Sequence, residues 1–216
     1  MGVGLLKPGV LIDRDGVINP MWADAEHGTI DSPAHPDQFS LLAGVGLAIR
    51  ALNEAGVPVA VVSNQPGVAK GKLVPRLLEA ITRKLTEELA GKGARLDGIY
   101  YCIHHPDAVV PEYRVRCDCR KPEPGLLLTA ARSLHLDLSR SFMIGDGVTD
   151  ILAGHRAGCR TIWIGQMKCD MCHLMRTEDA TPDHVAPDLA AAVDVILRMW
   201  RPSTASLFTS DGSPSL

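Results

Sequence analysis

VLIDRDGVIN, residues 10–19, opens with three apolar side chains and stops at a carboxylate. Val10, Leu11 and Ile12 are too short a run for a helix and carry β-branching, so they read as a buried strand. Asp13, Arg14, Asp15 and Gly16 then stand at that strand's carboxyl end. Asp13 and Asp15 are two residues apart, so on an extended end their side chains point the same way.

The same grammar recurs downstream. PVAVVS (58–63) is continuous and β-branched, as a strand buried on both faces should be. GIYYCI (98–103), SFMIG (141–145) and RTIWIG (160–165) read as three further strands. Between them lie helical patterns at 45–55, 73–93, 124–135 and 149–158, with a last one at 188–200. Residues 16–43 hold Pro20, Gly28, Pro33 and Pro36 and read as a long functional loop. Strands alternating with helices predict an α/β fold: a Rossmann-like, doubly wound parallel sheet. One domain is expected over residues 1–200. The Ser/Pro/Thr-rich tail, 201–216, is expected to be disordered.

Bulk properties narrow the class. A 216-residue chain with 46% hydrophobic and 22% charged residues can bury a full core. Its net charge of −3 offers no basic footprint for nucleic acid and no polybasic membrane patch. No apolar run approaches a bilayer span. The first residues, MGVGLLKPGVLID, carry no signal-peptide pattern. The expectation is a cytoplasmic monomer acting on a small molecule. In a reducing compartment, clustered cysteines suit metal better than disulfides.

In open α/β sheets, ligands bind beyond the carboxyl ends of the strands. There the sequence places Asp13 and Asp15, then Ser63-Asn64-Gln65, then Arg120-Lys121, then Asp146 and Asp150. One aspartate after a strand is ordinarily a turn or cap residue. Four strand ends delivering carboxylates, a hydroxyl and a lysine to one rim point instead to phosphoryl transfer. Of the pair Asp13 and Asp15, one carboxylate can serve as a covalent nucleophile and a second beside it as the acid/base. Crowded carboxylates call for a cation, and Asp146 suggests Mg2+. Ser63 and Lys121 supply a hydroxyl and a positive charge for the phosphoryl oxygens.

These segments (DRDGVIN, VVSNQ, the lysine of CRKP, and GDGVTD) resemble the four motifs of the haloacid dehalogenase superfamily of phosphatases, over residues ~8 to ~165. The resemblance implies Mg2+ held by Asp13, the Asp15 backbone carbonyl and Asp146, with Asp150 supporting the metal from behind. It also implies Asp13 as the nucleophile, Asp15 as the acid/base, and phosphoryl contacts from Ser63 and Lys121.

Cys102-x-His104 and Cys117-x-Cys119 form a second constellation, a Cys3His set suited to a closed structural Zn2+ site. His105 is the competing ligand, disfavoured by the alternation of Cys102 and His104. The insertion Cys-x-His…Cys-x-Cys-Arg-Lys-Pro is similar to the branch of heptose 1,7-bisphosphate 7-phosphatases and histidinol-phosphate phosphatases, and its 12-residue spacer to the former. That branch has no large cap domain. The zinc loop and the loop after Asp15 would then shape the pocket, with Arg120, Asn64 and Gln65 as substrate contacts. Two departures stand out: residues 19–39 lack the branch's usual Asp-x-Gly-Tyr pattern, and Gly147 replaces a lysine.

The expected function is therefore a Mg2+-dependent phosphomonoesterase with structural Zn2+, removing the 7-phosphate of a heptose bisphosphate in nucleotide-heptose biosynthesis. Alternatives are a histidinol-phosphate or other small sugar-phosphate phosphatase, or, in another class, a catalytically silent zinc-stapled binding protein. Cys169-x-x-Cys172-His173 is read as an incidental loop pair, and GVAKGK (67–72) as a turn with the wrong spacing for a phosphate loop.

Overall fold

The computed structural model describes residues 6–25, 28–165, 176 and 179–200. The Cys169/Cys172 pair and the 201–216 tail lie outside them. A six-stranded sheet runs in the order β5-β4-β1-β6-β7-β8. Its strands are β1 (Val10–Ile12), β4 (Val59–Asn64), β5 (Gly98–Cys102), β6 (Phe142–Gly145), β7 (Arg160–Ile164) and β8 (His184–Ala186), every pairing parallel.

The β1 register explains its apolar run. Val10 and Ile12 turn to one face and join α1 (Val45–Glu54), α3 (Pro75–Ala90) and α6 (Leu189–Met199) in the larger core. Leu11 turns to the other face, with Met143 and with Leu127 and Ala130 of α4 (Gly125–Leu134); Ala153 of α5 (Val148–Ala157) joins them there. A strand covered on both faces has no polar side to alternate with.

The connections fix the functional edge. The helices between β1 and β4 and between β4 and β5 cover one face. Those between β5 and β6 and between β6 and β7 cover the other. Winding therefore reverses between β1 and β6, which pair directly, Ile12 against Ile144. A crevice at such a switch point is where ligands bind. Asp13 and Asp146 are the residues next after those two strands.

Three features depart from the sequence expectation. β8 adds a sixth strand; its three residues, close-set between Pro182 and Pro187, are too few to show a period. The 16–43 loop is not structureless: it contains the antiparallel hairpin β2 (Trp22–Asp24) and β3 (Thr29–Asp31). The 67–72 turn begins as a four-residue helix, α2 (Pro66–Ala69), with Pro66 at its first position. No large cap domain interrupts the described residues. No helix among them is long and apolar enough to cross a membrane.

Candidate active site

Asp13 sits just past β1, its backbone N–H donating to Ile144 O at 2.9 Å, so the inter-strand pattern of β1 and β6 continues one residue beyond the strand. The Asp13 Oδ1 accepts from the Arg14 backbone N–H at 2.8 Å and lies 3.0 Å from Lys121 Nζ. That lysine is 2% exposed. It also contacts Asp150 Oδ1 and donates to Val62 O at 2.9 Å. Burial alone would push its pKa down, yet the charges of Asp13 and Asp150 raise it, so Lys121 stays an ammonium.

Asp13, Asp146 and Asp150 each offer a carboxylate oxygen within 4.8 Å of the others. Burial, and then the charge of Asp13, push Asp146 up to about 6. Burial pushes Asp150 up to about 7 against the pull of Lys121, with Asp13 adding to the rise. Three carboxylates against one lysine leave a surplus of negative charge in a low-dielectric crevice. A hard divalent cation with oxygen ligands fits that deficit and that donor set. Glycines make the crowding possible. Gly16 has φ +85°, and a Cβ there would collide with the Asp146 carboxylate; a Cβ on Gly145 would collide with the Asp150 side chain.

Asp15 is turned to a different set of partners. Its Oδ1 accepts from Arg14 Nε at 3.0 Å and Asn19 Nδ2 at 2.9 Å. Its Oδ2 accepts from Arg14 Nη2 at 3.1 Å and Gln65 Nε2 at 2.8 Å. Gln65 also donates to Ser63 Oγ at 3.2 Å. Ser63, at the end of β4, is buried beside this network.

Asn64 and Gln65, expected as substrate contacts, have their amides engaged inside the protein. Asn64 donates from Nδ2 to Lys121 O at 2.9 Å and accepts the Lys121 N–H at 3.0 Å. Gln65 bridges Asp15, Ser63 and Arg14. Sequence patterns show that such residues sit at a strand end, not which way an amide turns. Arg14 was missed as a site residue altogether. Its only signal is an arginine between two aspartates in an otherwise apolar segment. Arg120 is half-buried, with a long contact of 3.4 Å from Nη1 to His104 O.

The four members of the Cys/His constellation come together in the fold. Cys102, His104, Cys117 and Cys119 converge, with Sγ–Sγ separations of 3.2 to 3.6 Å and His104 Nδ1 3.5 Å from Cys119 Sγ. Ligands ~2.3 Å from one tetrahedral ion stand roughly 3.8 Å apart, close to this spread. Burial and the neighbouring sulfurs raise the Cys119 thiol far above its usual value, the situation a bound cation reverses. His105 points elsewhere, accepting from the Asp107 N–H.

Comparison with known proteins agrees with this geometry. The HAD-hydrolase-like family model matches residues 118–192. The D-glycero-beta-D-manno-heptose-1,7-bisphosphate 7-phosphatase of Escherichia coli K12 is 42% identical over 154 residues, covering 71% of this chain and 76% of that one. Its Vibrio cholerae counterpart is 38% identical over 157 residues, covering 73% and 80%.

The chain belongs to the haloacid dehalogenase-like hydrolases, in the branch of these phosphatases.

This hydrolase is a phosphoric monoester hydrolase by that membership. A crystal structure of D,D-heptose 1,7-bisphosphate phosphatase from B. bronchiseptica, complexed with magnesium and phosphate, superposes on it with a TM-score of 0.72 at 30% identity, covering 89% of the hydrolase and 99% of that chain. Next to the Asp15 network the hydrolase has a polar cavity of about 210 Å3, lined by Trp22, Asp31 and Ser32 of the hairpin region and by Gln65, Gly67 and Lys72. A larger apolar groove of about 520 Å3 lies between α3 and β5, and none of Asp13, Asp15, Asp146 and Asp150 lines it.

Proposed function

We propose that the chain is a Mg2+-dependent phosphatase working through an aspartyl-phosphate, and that its substrate is D-glycero-D-manno-heptose 1,7-bisphosphate, cleaved at the 7-phosphate. The observation that carries the reaction is the Asp13–Lys121 pair at 3.0 Å, at the β1/β6 switch point. An Asp13 oxygen attacks phosphorus, the ester P–O bond breaks, and the leaving oxygen takes a proton from Asp15. Water then attacks the aspartyl-phosphate, giving its proton to Asp15 and releasing phosphate with Asp13 regenerated. Lys121 and the Ser63 hydroxyl balance charge on the phosphoryl oxygens.

Asp13, Asp146 and the Asp15 carbonyl would hold Mg2+, with Asp150 close behind. When bound, Mg2+ supplies positive charge to the phosphoryl oxygens and relieves repulsion between the carboxylates. Cys102, His104, Cys117 and Cys119 would hold Zn2+ as a staple one residue before Arg120. Every residue this chemistry needs is present, which disfavours a silent binding protein. The 42% identity to a heptose bisphosphate phosphatase supports the sugar assignment. The cavity beside Gln65 supports it too, since Trp22 offers an apolar face and Asp31, Ser32 and Thr29 offer hydroxyl partners. Phosphate release from the anomers of the heptose bisphosphate, histidinol phosphate and common sugar phosphates tests the reading. A preference for the heptose bisphosphate is expected; comparable slow rates on every compound would overturn the assignment.

A further inference from the structure

The geometry points to Arg14 as a positioning residue for Asp15, acting with Tyr101 and Gln65. Arg14 has 0% exposure, rare for a guanidinium and costly to desolvate. Its fork grips both Asp15 oxygens, Nε on Oδ1 and Nη2 on Oδ2. The same Nη2 donates to Gln65 Oε1 at 2.9 Å, and Gln65 returns a bond to Asp15 Oδ2. The guanidinium carbon lies 5.5 Å from the centroid of the Tyr101 ring. That ring is itself fixed: β5 pairs Tyr101 against Ser63 of β4, and Thr82 of α3 donates to the Tyr101 hydroxyl at 3.2 Å.

The consequence is directional. A planar fork on a carboxylate sets the plane of the acid as well as its place, which a lysine's point charge does not. Asp15 must exchange a proton first with a leaving oxygen and then with water, so the orientation of one oxygen decides its efficiency. An arginine needed only for the core would do the same for any substrate. An arginine acting through Asp15 matters most where the leaving group needs a proton.

The inference rests on the acid/base role proposed for Asp15, and the test separates the two. The parent, Arg14→Lys and Tyr101→Leu chains are assayed for kcat/KM on an alkyl phosphate and on p-nitrophenyl phosphate, whose leaving group departs without a proton. Because kcat/KM covers steps through the first irreversible one, it reports the transfer to Asp13. Arg14→Lys is expected to lose about tenfold or more on the alkyl ester, part of the 10²–10⁴ available to general acid–base catalysis, and under about threefold on the aryl ester. Tyr101→Leu, which keeps the charge and the fork, should shift the ratio the same way by less. It carries the test alone if Arg14→Lys fails to fold. Equal losses on both esters, or an unchanged ratio in Tyr101→Leu, overturn the inference. Asp15→Asn probes the acid/base role itself: it should lose far more on the alkyl than on the aryl ester, so a failure of that role shows there, whereas a failure of the positioning inference leaves that loss intact and shows only in the Arg14→Lys and Tyr101→Leu ratios.

Discussion

Asn64 and Lys121, 57 residues apart, clip their segments together through two reciprocal hydrogen bonds, Asn64 Nδ2 to Lys121 O at 2.9 Å and Lys121 N to Asn64 Oδ1 at 3.0 Å. The end of β4 and the end of the Cys/His loop are thereby locked in register. This is how a loop residue comes to place its ammonium 3.0 Å from a carboxylate at the end of another strand. Asn64→Ala breaks both bonds and leaves two main-chain groups partly stranded. A stability loss of about 1–3 kcal/mol is expected, from a net ~1 per bond. Activity should fall further than stability explains, because a displacement of ~1 Å at a reacting group can cost ~10²-fold. Thermal melts beside phosphate release on the same preparation check this; full activity with lowered stability would reduce the clip to a structural role.

Lys121 offers a sharper case. Its ammonium is the only cation in direct contact with Asp13 and Asp150 among the described residues. Lys121→Met keeps much of the apolar stem and removes the charge. Breaking a buried pair by removing one partner typically costs about 3–5 kcal/mol. Activity should be lost, and denaturant melts of metal-free protein should show the drop. Mg2+ should restore part of the stability, since it replaces some of the missing positive charge. A variant as stable as the parent would mean the carboxylates are neutral in the native state.

The raised pKa values of Asp146, about 6, and Asp150, about 7, set a pH dependence. Both lie above the ordinary carboxylate value of 3.8. In that interval the native state holds more protons than the unfolded one, so the slope of stability with pH is negative. Metal-free protein should therefore lose stability as the pH rises from about 4 through 6 to 7. Mg2+ requires the deprotonated groups, so its stabilising effect should grow over the same range. Melting temperatures with EDTA and with Mg2+, taken at pH 5 and pH 7.5, test both signs. A Mg2+ shift no larger at the higher pH would contradict the assignment.

The parts of the fold and site that were legible follow from a single rule. A run such as Val10-Leu11-Ile12 is apolar on both faces, and whatever follows such a run sits on one edge of the sheet. That places Asp13, Ser63 and Asp146 together without any contact being known; Lys121, beyond the Cys/His loop, joins them through its clip to Asn64. Side-chain direction does not follow from that rule. Gln65 follows the end of β4, but its amide turns inward to Asp15 and Ser63, a choice set by packing. Arg14 was invisible for the same reason: nothing in sequence says that Tyr101, from β5, lies beneath it. The β2–β3 hairpin escaped because its strands are three residues each and Gly28 and Pro20 mask the alternation.

Disrupting the Cys/His cluster, proposed to hold Zn2+, tests whether it and Lys121 form one device. Cys119 is followed directly by Arg120 and Lys121, and the loop is closed again by the Gly125 N–H on Asp118 O at 2.8 Å. A Cβ on Gly125 would collide with that same carbonyl, so the turn is already close-packed. Structural zinc contributes on the order of 10 kcal/mol in small metal-dependent modules. Here the surrounding sheet shares the burden, so loss of zinc should loosen the loop rather than unfold the chain. Cys117→Ser is expected to bind well under one zinc per chain, to retain its α/β circular dichroism, and to lose most phosphate release because Lys121 is no longer held. Metal analysis, circular dichroism and turnover on one sample decide it. Undiminished turnover without zinc would show that the Asn64 clip and the contacts of its ammonium with Val62, Asp13 and Asp150 are enough to hold Lys121.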